Sequence, residues 1–157
     1  MEPLRVDARL LDSLVEAARR SPRRRMNHNL HAMEDPIHRL LNAMEPDSYV
    51  QPHRHLAAPR AETLACIRGR GAVLVFSDDG RVRERFELGP AGPDLLCELP
   101  AGTWHALLAL APGTVFFEVK AGPYVAPVAA DLAPWAPAPG DARAADYLGF
   151  MRSSAPR

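Results

Sequence analysis

Between residues 37 and 120 the chain is cut at short, regular intervals by residues that turn a backbone rather than extend it. The cuts fall at Glu45-Pro-Asp-Ser48, Gly69, Asp78-Asp79-Gly80, 89–94, Pro100-Ala-Gly102 and Ala111-Pro-Gly113. The stretches left between them, 37–44, 49–55, 62–68, 72–76, 81–88, 95–99, 103–110 and 114–120, are too short for helices and carry apolar residues in strand fashion. Asp-Asp-Gly is a strong hairpin signal, because its glycine takes the positive φ that tight connections need. Some eight short strands at this spacing predict an all-β domain, a small sandwich or closed barrel.

The flanks read differently. Asp7 is placed to cap a helix in which Leu10, Leu11, Leu14, Val15 and Ala18 recur at helical spacing. Glu16 and Arg20 form an i,i+4 pair, and Ser21-Pro22 stops the helix. Five arginines lie within 19–25, where a solvated helix end is the commoner outcome and an anion site the rarer one. After Gly122, Pro123, Pro127, Pro134, Pro137 and Pro139 preclude regular helix or central strand. That stretch is expected to be an extended arm wrapping the barrel, anchored by Trp135, with a short helix over 141–147 and a disordered tail from 153. The expected division is 1–26 for helix and basic linker, 27–122 for the barrel, and 123–157 for the arm.

Three of the six histidines, His53, His55 and His105, occur near Glu62 in this strand pattern. Alternate residues of a strand share a face, so His53 and His55 point together. Two imidazoles, a nearby carboxylate and a third imidazole make a donor set suited to one divalent transition metal ion such as Zn, Fe, Mn or Ni. The bland alternative is unrelated surface histidines. On the same alternation Tyr49 and Gln51 line the cavity lower down, while Arg54 and Trp104 face away. Leu64 and Cys66 lie beneath Glu62, and Leu107 and Ala109 beneath His105.

These residues resemble the two motifs of the cupin superfamily: His53-x-His55 with Glu62 and Gly69, then Pro100-x-Gly102-x-x-His105. The resemblance implies a double-stranded β-barrel (cupin or jelly roll) with the metal held by His53, His55, Glu62 and His105. Six residues separate His55 from Glu62, against three or four usual in the family, so 56–61 is expected to form a longer loop. Ala109 stands where the family often has asparagine. Asn27-His-Asn-Leu-His31, Asp35-Pro, Arg39-Leu-Leu-Asn42-Ala, Thr103-Trp-His105, Phe117-Glu-Val-Lys-Ala-Gly-Pro-Tyr124 and Trp135-Ala-Pro further resemble the WbuC family of cupin-fold metalloproteins. That family is associated with polysaccharide gene clusters. The resemblance runs from about Ser21 to Pro137, and homodimers are common among cupins.

Candidates for chemistry beside the metal are few. Lys120 is the only lysine among eighteen arginines, and a buried lysine can act as a base. Glu118 shares its strand face. If that face is exterior, Val115, Phe117 and Val119 fill the barrel instead. Tyr124 follows Gly122-Pro123 and is placed either to donate a proton at the cavity mouth or to pack. Arg39 suits a substrate anion or a pairing with Asp35, Gln51 suits a substrate hydroxyl, and His31 contacts substrate if its segment folds over the mouth. Two classes of function stay open. One is a metal-dependent enzyme acting on a small polar molecule such as a sugar derivative, by isomerisation or epimerisation or as an Fe(II) oxygenase. The other is a ligand-binding or regulatory module without turnover.

Bulk composition narrows the partners. Nineteen basic and nineteen acidic residues balance, which gives nucleic-acid binding no global support. No stretch approaches the ~20 apolar residues of a membrane span, and the charged N-terminal residues do not read as a signal peptide, so a cytoplasmic location is expected. Cys66 and Cys97 lack CxxC spacing and read as buried free thiols.

Overall fold

Asp7 caps the first helix as its position dictates: its carboxylate accepts the Leu10 amide at 3.0 Å, and α1 then runs Ala8–Arg20. The computed structural model describes residues 3–56 and 58–155. Eight strands follow α1: β1 (Arg25–Asn29), β2 (Ile37–Met44), β3 (Glu62–Arg68), β4 (Gly71–Phe76), β5 (Val82–Leu88), β6 (Leu96–Leu99), β7 (Trp104–Ala109) and β8 (Thr114–Ala121). They form two antiparallel sheets, one in the order β1-β2-β8-β3-β6 and one in the order β5-β4-β7. This is the double-stranded β-barrel of the cupin fold, with the expected N-terminal helix.

Three clusters of buried side chains hold the barrel and its coverings together. Between the sheets Met44, Leu64, Cys66, Val73, Leu88, Leu99, Leu107 and Phe116 pack into one core. Behind the larger sheet, Leu14, Val15 and Ala18 of α1 bury Leu41, Ala43 and Val115. Each large side chain buried there contributes roughly 1.5–3 kcal/mol. Behind the smaller sheet, Leu74, Phe76, Trp104 and Leu108 lie under Ala133, Ala136, Leu148 and Met151. Because β7 is covered on both faces, all six of its residues are buried, and it reads as a near-continuous apolar run.

The C-terminal covering is the arm. Its Trp135 ring packs 5.1 Å from Phe76 and 6.0 Å from Trp104. It also sits against Gly80 of the β4–β5 hairpin, where φ is +84° and an added Cβ would approach the indole to 2.8 Å. Glycine is therefore required there twice over, by the turn and by the tryptophan. The arm contains a 3-10 turn, Ala129–Asp131, and ends in α2, Ala144–Ser153. That helix starts later and runs longer than the expected 141–147, since Leu148 and Met151 complete the core behind the smaller sheet. Residues 153–155 close it, and the remainder of the expected disordered tail, 156–157, lies outside the described residues.

Two expectations about strands are corrected. Residues 49–55 are not a strand: only His53 makes bridges, to His105 on one side and Leu132 of the arm on the other. Conversely, Arg25–Asn29 is a strand, paired with β2 from Arg25↔Met44 to Asn29↔Leu40. Arg-Met-Asn-His-Asn lacks apolar alternation because its inward face lines a polar cavity, so no periodicity marks it.

Candidate metal centre

The irregular 52–56 segment is held as firmly as a strand, by bonds on both sides. The amides of His53 and His105 donate to each other's carbonyls, both at 2.9 Å. From the arm, the Asp131 carbonyl accepts Arg54 N at 2.8 Å, its carboxylate accepts Leu56 N at 2.8 Å, and Ala133 N donates to Pro52 O at 2.9 Å. Arg54 lies over the Trp104 ring at 4.1 Å and so points away from the histidines, as alternation requires. In the loop that follows, Arg60 donates to Ala58 O and Ala121 O, tying it to the end of β8. Ala57, within the expected longer loop, lies outside the described residues.

This framework brings one donor atom from each of His53, His55, Glu62 and His105 to within 4.8 Å of one another. That span is close to twice the ~2.0–2.2 Å bond length of a first-row metal. The ring of His53 lies 4.3 Å from that of His105 and 5.5 Å from that of His55. His53 Nδ1 faces Gln51 O at 3.1 Å and His105 Nδ1 faces Thr103 O at 2.9 Å. A carbonyl only accepts, so both rings donate from Nδ1 and turn their Nε2 atoms inward. Burial, with His105 and His55 alongside and against the pull of Glu62, pushes the His53 imidazole down to about 3, so it is neutral at physiological pH.

The Glu62 carboxylate sits 3.0 Å from His55 Nε2 and 2.9 Å from His105 Nε2. Yet His55 Nε2, fully buried, has no hydrogen-bond partner. Donor atoms gathered at contact distance but not aimed at each other are what a shared cation would satisfy. Burial alone would raise the Glu62 pKa, but His105, His55 and Lys120 overcome it and hold the carboxylate ionised. A neutral His53 and an ionised Glu62 are forms that ligate, and with the Nε2 atoms of His55 and His105 beside them the residues present fit a metal ion.

His53, Glu62 and His105 line a cavity of about 400 Å³, of the size that holds a small molecule. β8 presents Phe116, Glu118 and Lys120 inward and Val115 and Phe117 outward to α1. Lys120 stands opposite Glu62 in the β3–β8 register. Its ammonium bonds Glu62 at 2.8 Å and meets Glu118 at 2.5 Å. Burial would lower the Lys120 pKa, but Glu118 and Glu62 reverse the effect and keep it raised. The Glu118 carboxyl is raised chiefly by burial, against the pull of Lys120. Tyr124 is half exposed at the rim, its amide bound to Met33 O at 2.8 Å.

Four residues expected at the site lie elsewhere. Gln51 does not line the cavity: without strand geometry its side chain turns to the arm and donates to the carbonyls of Ala133 and Ala136. Tyr49 turns the same way, donating to Pro137 O at 2.7 Å, and Val50 takes their place in the wall. Arg39 is exposed on the outer face of β2, because Leu40 and Asn42 point inward. The pairing of Arg39 with Asp35 is not formed; Asp35 instead accepts the Ala32 amide. His31 stacks on His38 at 4.0 Å, with Nδ1 against the Arg39 backbone. The residues that do line the wall, and that sequence reading missed, are Arg23, Arg25 and Asn27. Their signal was hidden inside a run of arginines whose other members are surface pairs, Arg19 with Glu16 and Glu45, and Arg24 with Asp47.

Comparisons with known proteins bear on the family and the fold. Residues 6–88 match the family described as a domain of unknown function, DUF6016. No curated protein matches the sequence. Among solved structures, Peruvianin-I, a cysteine peptidase from Thevetia peruviana latex, is similar with a TM-score of 0.53 and 15% identity, over 69% of this chain and 68% of its own. KdgF from Halomonas sp. is similar with a TM-score of 0.51 and 17% identity, over 68% of this chain and 85% of its own. Oxalate oxidase in complex with the substrate analogue glycolate is similar with a TM-score of 0.51 and 13% identity, over 64% of this chain. The chain spans about half of that oxidase, 52% of its length. At such identities the likeness is one of fold.

Proposed function

We propose, from the premise that the chain belongs to the DUF6016 family, that this metal-binding cupin is an enzyme acting on a small polar molecule such as a sugar derivative. The observation that carries the reading is the Glu118–Lys120–Glu62 chain of ion pairs, which sets a candidate base, Glu118, beside the candidate metal-binding carboxylate. A bound ion would polarise a substrate carbonyl or hydroxyl. Glu118, its carboxyl raised by burial, then takes a proton from the adjacent carbon. Lys120 holds Glu118 and Glu62 in register and stabilises negative charge as it develops, while Tyr124 at the rim donates its own hydroxyl proton to the carbon, and Glu118 and Tyr124 then recover their starting states by proton exchange with water. The class of reaction is isomerisation or epimerisation. The resemblance to the WbuC family supports a place in polysaccharide metabolism, and a cupin homodimer belongs to the same proposal.

A second reading, a binding or regulatory module without turnover, is favoured by one observation: Lys120 is tied to two carboxylates and is no free base. Proton exchange separates the two. Metal-loaded protein incubated in heavy water with a panel of aldoses, ketoses and their acids is expected to exchange a carbon-bound hydrogen of its substrate, by NMR, and Glu118→Gln is expected to abolish exchange. Binding without exchange by any of them supports the module.

A further inference from the structure

Arg25 is a guanidinium set into the cavity wall without a counterion. Its Nη1 donates to Tyr49 O at 2.6 Å and lies 3.4 Å from Ser48 Oγ, and no carboxylate pairs with it among the described residues. Arg23 lines the same wall and its side chain also has no acidic partner there. The two carboxylates lining the cavity, Glu62 and Glu118, are both held by Lys120. Arg25 is partly desolvated and has the exposed Arg23 as a like-charged neighbour, and an anion bound between them would relieve that repulsion with charge-assisted hydrogen bonds. Beside them Asn42 points into the cavity with its Oδ1 buried and unpartnered, and Asn27 faces it across the β1–β2 pair. An orphaned buried acceptor costs about 1–3 kcal/mol until something donates to it.

The sheet order sets the spacing. β1 lies three strands from β3, roughly 14 Å at ~4.8 Å per strand, with Glu118 and Lys120 of β8 between. Long arginine side chains shorten that gap to the length of a five- or six-carbon molecule.

We propose that the ligand of this cavity is an anion of monosaccharide size whose carboxylate or phosphate docks on Arg25 and Arg23, with a neighbouring hydroxyl donating to Asn42, while its other end reaches the metal centre. This deepens the proposed function and rests on it for the metal end alone. The arginine end fixes the ligand's charge and direction, so that the opposite end faces Glu118.

Titration calorimetry with D-glucuronate, D-glucose 6-phosphate and D-glucose tests it, on metal-loaded and on chelator-treated protein. At least one anionic probe is expected to bind at least ~10-fold more tightly than glucose, as charge-assisted hydrogen bonds would give. Which of the two anions binds tells carboxylate from phosphate. Arg25→Met and Arg23→Ala are each expected to weaken that probe by about 10-fold and leave glucose unchanged. Arg23 makes no side-chain bonds among the described residues, so its variant keeps the fold even where loss of the Arg25–Tyr49 contact perturbs it. Anions that bind no better than glucose, no binding of any probe, or an Arg23→Ala variant with unchanged anion affinity would overturn the proposal. Failure of the metal reading looks different: loaded and chelated protein then bind alike, with the anion preference and its arginine dependence intact.

Discussion

At the residue scale, the cavity turns on one ammonium between two buried carboxylates. Lys120 offsets the mutual repulsion of Glu62 and Glu118, and breaking a buried pair by removing one partner is strongly destabilising. Lys120→Met is expected to lower the stability of metal-free protein by about 3 kcal/mol in denaturant unfolding. With metal bound the loss should be clearly smaller, since the ion supplies the positive charge that Glu62 then lacks. An equal loss in both states would mean that Glu62 does not face the ion. The single lysine was legible in the sequence as an oddity, and strand alternation tied it to Glu118. Which face was interior was not legible, because Val115, Phe117 and Val119 were an equally plausible filling. α1 decides the matter by burying Val115 and Phe117 from outside.

At the element scale, the arm does the work expected of a strand. Residues 49–55 looked like a strand because His53 and His55 alternate, and the pairing of their rings survives without one. The arm contributes Leu132, Asp131 and Ala133 to hold 52–56 against β7. Trp135 anchored on Gly80 sets where those bonds fall. Trp135→Ala is therefore expected to cost about 3 kcal/mol of stability and to weaken metal binding, although the residue touches no ligand. Loss of stability with unchanged metal affinity would separate the arm from the site. The barrel strands were legible from turn signals spaced along 37–120. β1 and the fate of Gln51 were not, since both depend on contacts with distant segments that leave no periodic trace.

At the scale of the whole molecule, burial between the two sheets shifts the titration of the groups it encloses. Burial, and Asp94 nearby, push the Cys97 thiol up to about 12 from an ordinary 9.0. Above pH 9 the unfolded chain releases this proton and the folded chain retains it, so stability falls as pH rises from 9 towards 12. Cys97→Ala is expected to reduce that alkaline loss by about 1–2 kcal/mol at pH 11, measured by urea unfolding. An unchanged alkaline slope would place the titrating groups elsewhere, such as Tyr147, also pushed up to about 12 by burial. No helix among the described residues is long and apolar enough to cross a membrane. Anomalous diffraction from crystals of metal-loaded protein, collected at the metal's absorption edge, tests most directly whether this barrel holds one ion between its two sheets. One peak per chain is expected, about 2.0–2.2 Å from His53, His55 and His105 Nε2 and from a Glu62 oxygen. A map with no peak there, or with the ion bound by other residues, would contradict it.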